Sequence, residues 1–476
     1  MNIQESNSDW VMEEFRNFHI EDPRLIERFF ITAQLLASKP LDCINKACGS
    51  WSAAKGTYRL LSNNKLKPED IFECHQSQTI RRISEHKLVF AIQDTCFLDY
   101  ENHPKTKGLG SISRGYGKDK PGLIMHPTYI ITDKALPLGI LTWQSWARPL
   151  KPTRTTYEKV MENYHREAED KESYKWIEAL QQSTEIIPDS IKVVTLADRE
   201  ADIFEFMHEH NKIGRSFVIR NRFNRRLTKT KYKNDPKMRD VLAQKDPCGV
   251  TTIELPAQRG RPARKAKLAI RSGSFTTPLR SNLKGGASGN KDLPTVLAYN
   301  IVHAVEIDPP NKEDQIDWYL VTNEDVSIFE QAVEKLNWYK LRWQIETFFR
   351  TLKSGCRIES ARLADADRIY KYNILMAIVA WRICFMTHAA RLNPEAPCTE
   401  IMDEDHWQAL HLRVNKTALP KKPPNVGQVV NWIAQLGGFL NRKSDGEPGS
   451  MTIWKGWQIL EEILPLYITL KNQRPP

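Results

Sequence analysis

Leu88-Val-Phe-Ala-Ile-Gln-Asp94 is the stretch from which the fold of this chain is read. An unbroken apolar run closed by Gln93 and Asp94 describes a short strand, buried on both faces, that ends in an acid. The pattern recurs in Ile191-Lys-Val-Val-Thr-Leu-Ala-Asp198. Between the two, Gly122 to Thr132 and Leu138 to Trp143 read as further strands, and about Thr156 to Gln182 as a polar helical stretch. Arg199 to Phe204 starts a helix, and Ser216-Phe-Val-Ile-Arg220 is another strand. Strands alternating with helices predict a mixed α/β sheet. Acids at strand ends stand where such sheets place their chemistry.

Working outward, residues 1–75 read as short helices. Asp22-Pro23 opens one, with Pro at the first helical position; Arg28 lies on its amphipathic run. Ser50 to Ser62 forms another, whose Lys55, Tyr58 and Arg59 suit a helix laid against a DNA groove or, equally, an ordinary small helical domain. From about 222 to 320 strand-like pieces alternate with basic loops, Arg222 to Arg226 and Arg259 to Lys265. This predicts a β-rich insertion whose cations meet a nucleic-acid backbone rather than solvent alone. After Ser327 the chain turns helical. Pro394 and Pro397 mark a boundary, and Ala418 to Asn425 a linker. The last helices, with Trp454 and Trp457, are apolar enough to meet a partner. The expected domains are 1–75, 76–390 and 391–476.

The chain has 476 residues and a net charge of +11, with an isoelectric point near 9.1. That balance favours a polyanionic partner, nucleic acid first and an anionic membrane surface second. The longest apolar run, Ile374 to Trp381, is too short to span a bilayer and is followed by Arg382. The first residues lack a basic and apolar leader pattern, so a cytoplasmic location is expected. The eight cysteines form no Cys-x-x-Cys pair and are expected to be reduced.

A third acid stands in Tyr339-Lys-Leu-Arg342-Trp-Gln-Ile-Glu346. Taken as one helix, Tyr339, Arg342, Glu346, Arg350 and Lys353 fall within roughly 80° of one another, and Trp338, Leu341, Ile345, Phe348 and Leu352 on a neighbouring apolar arc. The same spacing also describes a solvated Glu–Arg ladder, and Asp198 also suits a helix N-cap. Read together, Asp94, Asp198 and Glu346 offer hard carboxylate oxygens to divalent cations. Two such ions serve in-line phosphoryl transfer, one on the attacking and one on the leaving oxygen.

Gln93-Asp94-Thr95, Leu196-Ala-Asp198-Arg-Glu-Ala-Asp202 and Tyr339-x-x-Arg342-x-x-x-Glu346 with Lys353 beyond resemble the bacterial DDE transposases that carry the YREK signature. The resemblance also touches Gly56-x-Tyr58-Arg59, Arg261 to Ala266, Leu436 to Phe439 and Trp454-x-Gly-Trp457, and so runs nearly the whole chain in order. It implies an RNase H-like core interrupted by a β-strand insertion, an N-terminal helical domain that binds the transposon end, and a C-terminal helical domain that dimerises. It implies Asp94, Asp198 and Glu346 as the catalytic triad, holding two Mg2+ ions or Mn2+ in their place. Tyr339, Arg342 and Lys353 match residues that hold DNA phosphates, and Arg350 keeps a charge where a lysine is expected. Arg220 matches a phosphate contact, and Trp318 a tryptophan that stabilises a flipped base during hairpin formation. Arg28, Lys55, Tyr58 and Arg59 are the expected N-terminal contacts. The implied partners are the terminal inverted repeats, target DNA and a second copy of the chain; the implied setting is the bacterial cytoplasm, at the nucleoid. The N-terminal region is the least similar, and Trp51 stands where a polar group is expected near DNA. An RNase H-like nuclease or resolvase without strand transfer, and a non-catalytic DNA-binding regulator, remain open as alternatives.

Overall fold

The computed structural model describes residues 10–113, 120–149, 171–227, 236–255, 263–279, 293–310, 315–442 and 445–473. The first segment is helical: α1 (Trp10–Glu14), α2 (Pro23–Ser38), α3 (Ile44–Cys48), α4 (Trp51–Leu61) and α5 (Pro68–Ile83). The Asp22 carboxylate caps α2 by accepting from the Arg24 N–H, with Pro23 at its first position as expected. Then come β1 (Leu88–Gln93), β2 (Cys96–Asp99), β3 (Gly110–Ser111), β4 (Pro121–Ile131), β5 (Pro137–Trp146), α6 (Tyr174–Ile186), β6 (Lys192–Ala197), α7 (Phe204–Ile213) and β7 (Ser216–Arg220). The expected helical stretch from Thr156 lies outside the described residues up to 170; α6 is its described part.

The alternation in β1 explains its burial on both faces. Phe90 and Ile92 join the core on one side of the sheet, while Val89 and Ala91 join a smaller cluster with Ile83 on the other. β4 and β5 lie antiparallel on one side of β1, and β6 and β7 parallel on the other. The expected mixed α/β sheet is therefore present.

The β-rich region comprises α8 (Met238–Ala243), β8 (Gly249–Leu255), β9 (Arg264–Pro278), β10 (Val296–Glu306) and β11 (Asp317–Thr322). It is not a separate layer. β11 pairs antiparallel with β7, so a single sheet runs β2-β4-β1-β6-β7-β11-β10-β9-β8. The basic loop from Arg259 falls outside the described residues up to 262; the one from Arg222 is tied down at Asp202, which accepts from the Arg222 and Phe223 N–H groups.

The helical remainder is α9 (Phe329–Lys340), α10 (Trp343–Arg350), α11 (Ala366–Leu392), α12 (Glu404–Asn415), α13 (Val426–Leu436) and α14 (Ser450–Asn472). Tyr339 to Lys353 is thus not one helix. The turn at Leu341 and Arg342 is closed by i→i−3 bonds, Arg342 N–H to the Tyr339 carbonyl at 3.0 Å and Ile345 N–H to the Arg342 carbonyl at 3.2 Å, which tighten and re-aim the chain. A π-helical segment, Thr351–Gly355, follows. The apolar arc does pack: Trp338 meets Phe90 edge-on at 5.5 Å, and Phe348 stacks on Tyr129 of β4 at 4.8 Å.

α11 contains the Ile374 to Trp381 run and has the length and composition to cross a membrane, yet 78% of its most apolar window is buried inside the protein. Its Lys371 donates to the Leu61 and Asn63 carbonyls at 3.3 and 3.1 Å, a cation closing the end of α4 and joining the N-terminal helices to the core. All eight cysteines are free; Cys43 and Cys248 are exposed and the others buried.

Candidate active site and nucleic-acid interface

β1 and β6 run parallel with Leu88 opposite Lys192 and Ile92 opposite Leu196. Asp94 and Asp198 each follow the last of these pairs by two residues, just beyond the strand ends, and the charge of Asp198 is felt at Asp94. Asp94 accepts from the Thr95 N–H at 2.7 Å and from Arg342 at 3.1 Å. Burial, then the charge of Asp198, pushes its carboxyl up to about 7, against the pull of Arg342. Asp198 also caps the short 3-10 turn Arg199–Ala201 by accepting from the Glu200 N–H at 2.8 Å, as the N-cap reading of this acid expects.

Arg342 spans the site. One of its terminal nitrogens donates to Asp94 and the other to Glu346 at 2.6 Å. Burial disfavours its charge, but Tyr339, Asp94 and Glu346 outweigh that and hold the guanidinium above its ordinary value. The turn before α10 lets Arg342 reach both acids: it aims the side chain back at the strand end while leaving Glu346 one helical turn on. Tyr339 is nearly buried, its ring edge-on to Trp318 at 5.5 Å. Arg220 lies over the Trp318 ring at 5.8 Å. The β7–β11 pairing, Arg220 opposite Leu320, explains that neighbourhood, because Trp318 shares the face of Leu320 one pleat along.

Asp94, Asp198, Glu346, Arg342, Tyr339, Trp318 and Arg220 are therefore drawn into one region. Lys353 is directed elsewhere. The π-helical segment shifts its register, and its ammonium bonds the Phe97 carbonyl at 2.8 Å and Glu359 at 2.9 Å. Arg350 is exposed at the end of α10. Sequence reading missed Glu359, which also accepts from the Asp99 N–H at 2.8 Å; nothing in its own spacing marks it.

Among the described residues no three His, Cys, Asp or Glu side chains gather closely enough to hold a metal ion; Arg342 bonds both Asp94 and Glu346. The donor set nonetheless suits a divalent cation: every oxygen is hard, and the raised Asp94 beside Asp198 is a pair the protein's own charges only partly neutralise.

On the N-terminal helices, Trp51, Lys55, Tyr58 and Arg59 line a groove of about 770 Å³, to which Arg368 of α11 also contributes. Arg28 lies across α4 instead: a Cβ on Gly56 would stand 2.8 Å from its guanidinium. Arg368 was not legible, because only folding brings it to α4.

Three family models match the chain. Residues 7–66 match a transposase DNA-binding domain, 159–382 a transposase DDE domain, and 378–465 the Tn5 transposase dimerisation domain. The DDE match takes in Asp198, Arg220, Trp318, Tyr339, Arg342, Glu346, Arg350 and Lys353, while β1 and Asp94 precede it. A DDE domain implies an RNase H-like core, which the mixed sheet accords with, and such domains use divalent metal ions. With DNA-binding, DDE and dimerisation domains of the Tn5 type on one chain, the protein is a DNA transposase.

Proposed function

We propose that this transposase moves its element by cut and paste, and that it falls within the YREK-signature insertion-sequence group, near the transposase of the kanamycin-resistance composite transposon. The observation that carries the reading is that Asp94 and Asp198 directly follow the paired parallel strands β1 and β6, with Arg342 joining Asp94 to Glu346. In this reading the three acids would hold two Mg2+ ions, or Mn2+. Bound there, the ions lower the pKa of water and offset charge on the scissile phosphate.

The chain's own residues then orient the phosphodiester. Water attacks phosphorus, the P–O bond to the 3′ oxygen breaks, and a 3′-hydroxyl is freed. That hydroxyl attacks a phosphorus of the opposite strand, closing a hairpin and expelling the flanking DNA's 3′ oxygen; water opens the hairpin, freeing the 3′-hydroxyl again; and that hydroxyl finally attacks a target phosphorus and expels a target 3′ oxygen. Each step is one phosphoryl transfer with a different nucleophile, so one site serves all of them. Arg342 and Arg220 offer cations to non-bridging oxygens and the Tyr339 hydroxyl a hydrogen bond, while Lys353, held at Glu359, and the exposed Arg350 would meet the DNA backbone outside the acidic cluster. Trp318, half-buried beside Tyr339, supplies a ring on which a base flipped from the tight hairpin can stack.

Residues 1–75, with Lys55, Tyr58, Arg59 and Arg28, bind the terminal inverted repeats; 76–390 form the catalytic domain; 391–476 pair two copies at the synapsed ends. The protein works in the cytoplasm, at the nucleoid. Incubation with DNA carrying the element's own ends and Mg2+ tests this on one gel. Nicks, hairpins and strand-transfer products are expected. Nicks alone would indicate a nuclease, and binding without cleavage a regulator.

A further inference from the structure

Trp51 is the most exposed large apolar side chain among the described residues, at 76%. It opens α4 directly after Ser50, whose hydroxyl accepts from the Ala53 N–H. The helix buries Ala54, Thr57, Leu60 and Leu61, which leaves Trp51, Lys55 and Arg59, spaced four apart, exposed on the outer face. The Lys55 ammonium sits 4.5 Å from the indole centroid. Tyr58, Arg59 and Arg368 continue the same groove.

Cations alone describe a surface that grips phosphates without regard to sequence. An indole at the leading end of that surface adds a different chemistry. The first residues of a helix lying in the major groove are those that reach base edges, and the apolar feature there is the thymine methyl group. We propose that Trp51 is a specificity-determining residue, reading the transposon end by laying its indole against thymine methyls in the major groove while Lys55 and Arg59 hold flanking phosphates. This rests on the reading of α4 as the DNA-facing helix and deepens it: the cations give affinity, the ring gives preference.

The test is binding of the full-length protein to three duplexes: the terminal inverted repeats that flank its gene, the same repeats with deoxyuridine for thymine, and random sequence. Trp51→Ala is expected to weaken binding to the repeats about tenfold and leave random sequence unchanged. Deoxyuridine is expected to cost the native protein a similar factor and Trp51→Ala nothing further, as two changes to one contact should. Trp51→Phe retains most of the preference. Lys55→Gln weakens all three duplexes alike. The proposal is overturned if Trp51→Ala weakens the repeats and random sequence equally, if deoxyuridine costs both proteins the same, or if Trp51→Ala melts well below the native chain, which would make the ring a packing residue. A separate result, native protein that binds the repeats no better than random sequence while Lys55→Gln changes nothing, would instead bring down the reading of α4 itself.

Discussion

Arg342 is the residue on which the site turns, because one planar guanidinium answers two carboxylates that come from a strand end and a helix. Its fork fits two acceptors at once, which a lysine cannot do. Arg342→Gln is expected to lower strand cleavage about a hundredfold while end binding stays nearly unchanged; single-turnover cleavage beside a gel-shift titration measures both. Trp318 carries a different expectation. Its contacts are with Tyr339 and Arg220, not with the acids, so Trp318→Ala should slow hairpin formation about tenfold or more and first-strand nicking far less. Equal slowing of both steps would count against a base-stacking role.

At the scale of elements, the acid-ended strands were legible because burial on both faces forces an unbroken apolar run, and Asp94 and Asp198 interrupt it. The helix carrying Glu346 was legible in its apolar arc but not in its course. Neither Pro nor Gly marks the turn at Leu341 and Arg342, and the π-helical segment that takes Lys353 to Glu359 is set by packing on α11 and the sheet rather than by local propensity. α1 and α5 are joined by a buried cluster that sets a pH dependence. His75 accepts from the Ile140 N–H through Nε2, so it is neutral and donates through Nδ1 to Glu14, while Arg82 contributes the positive charge to that carboxylate. Burial works to raise Glu14, but the hydrogen bond from His75 and the charge and hydrogen bonds of Arg82 outweigh it and hold the carboxyl below its ordinary value. A depressed carboxylate stabilises the fold fully above its unfolded value and loses that contribution as pH falls through the folded one. Acid unfolding followed by circular dichroism should therefore show stability falling as the pH drops below the ordinary carboxylate range. Glu14→Gln should flatten that part of the curve and, by leaving Arg82 without its anion, lower stability at neutral pH by about 3 kcal/mol.

Across the whole molecule, one sheet runs from the strand pairs around Asp94 to the β8–β9 edge, and α11 packs against α10 and against the C-terminal helices α13 and α14. The β-rich region was legible as strands, but its fusion to the core through β7 and β11 was not, since that pairing joins residues a hundred apart with no local signal. The dimerisation match begins at 378, inside α11, and runs to 465, and removal of the chain after about residue 440 should prevent pairing of ends. Native gels with labelled ends check this; paired complexes formed by the truncated protein would move the contact elsewhere. The central claim is that Asp94, Asp198 and Glu346 form one catalytic unit, and its most direct measurement is Mg2+-dependent cleavage of the element's ends by Asp94→Asn, Asp198→Asn and Glu346→Gln. Each is predicted to lose cleavage by about three orders of magnitude while binding the ends like the native protein. Substantial Mg2+-dependent nicking by any one of the three would contradict the claim.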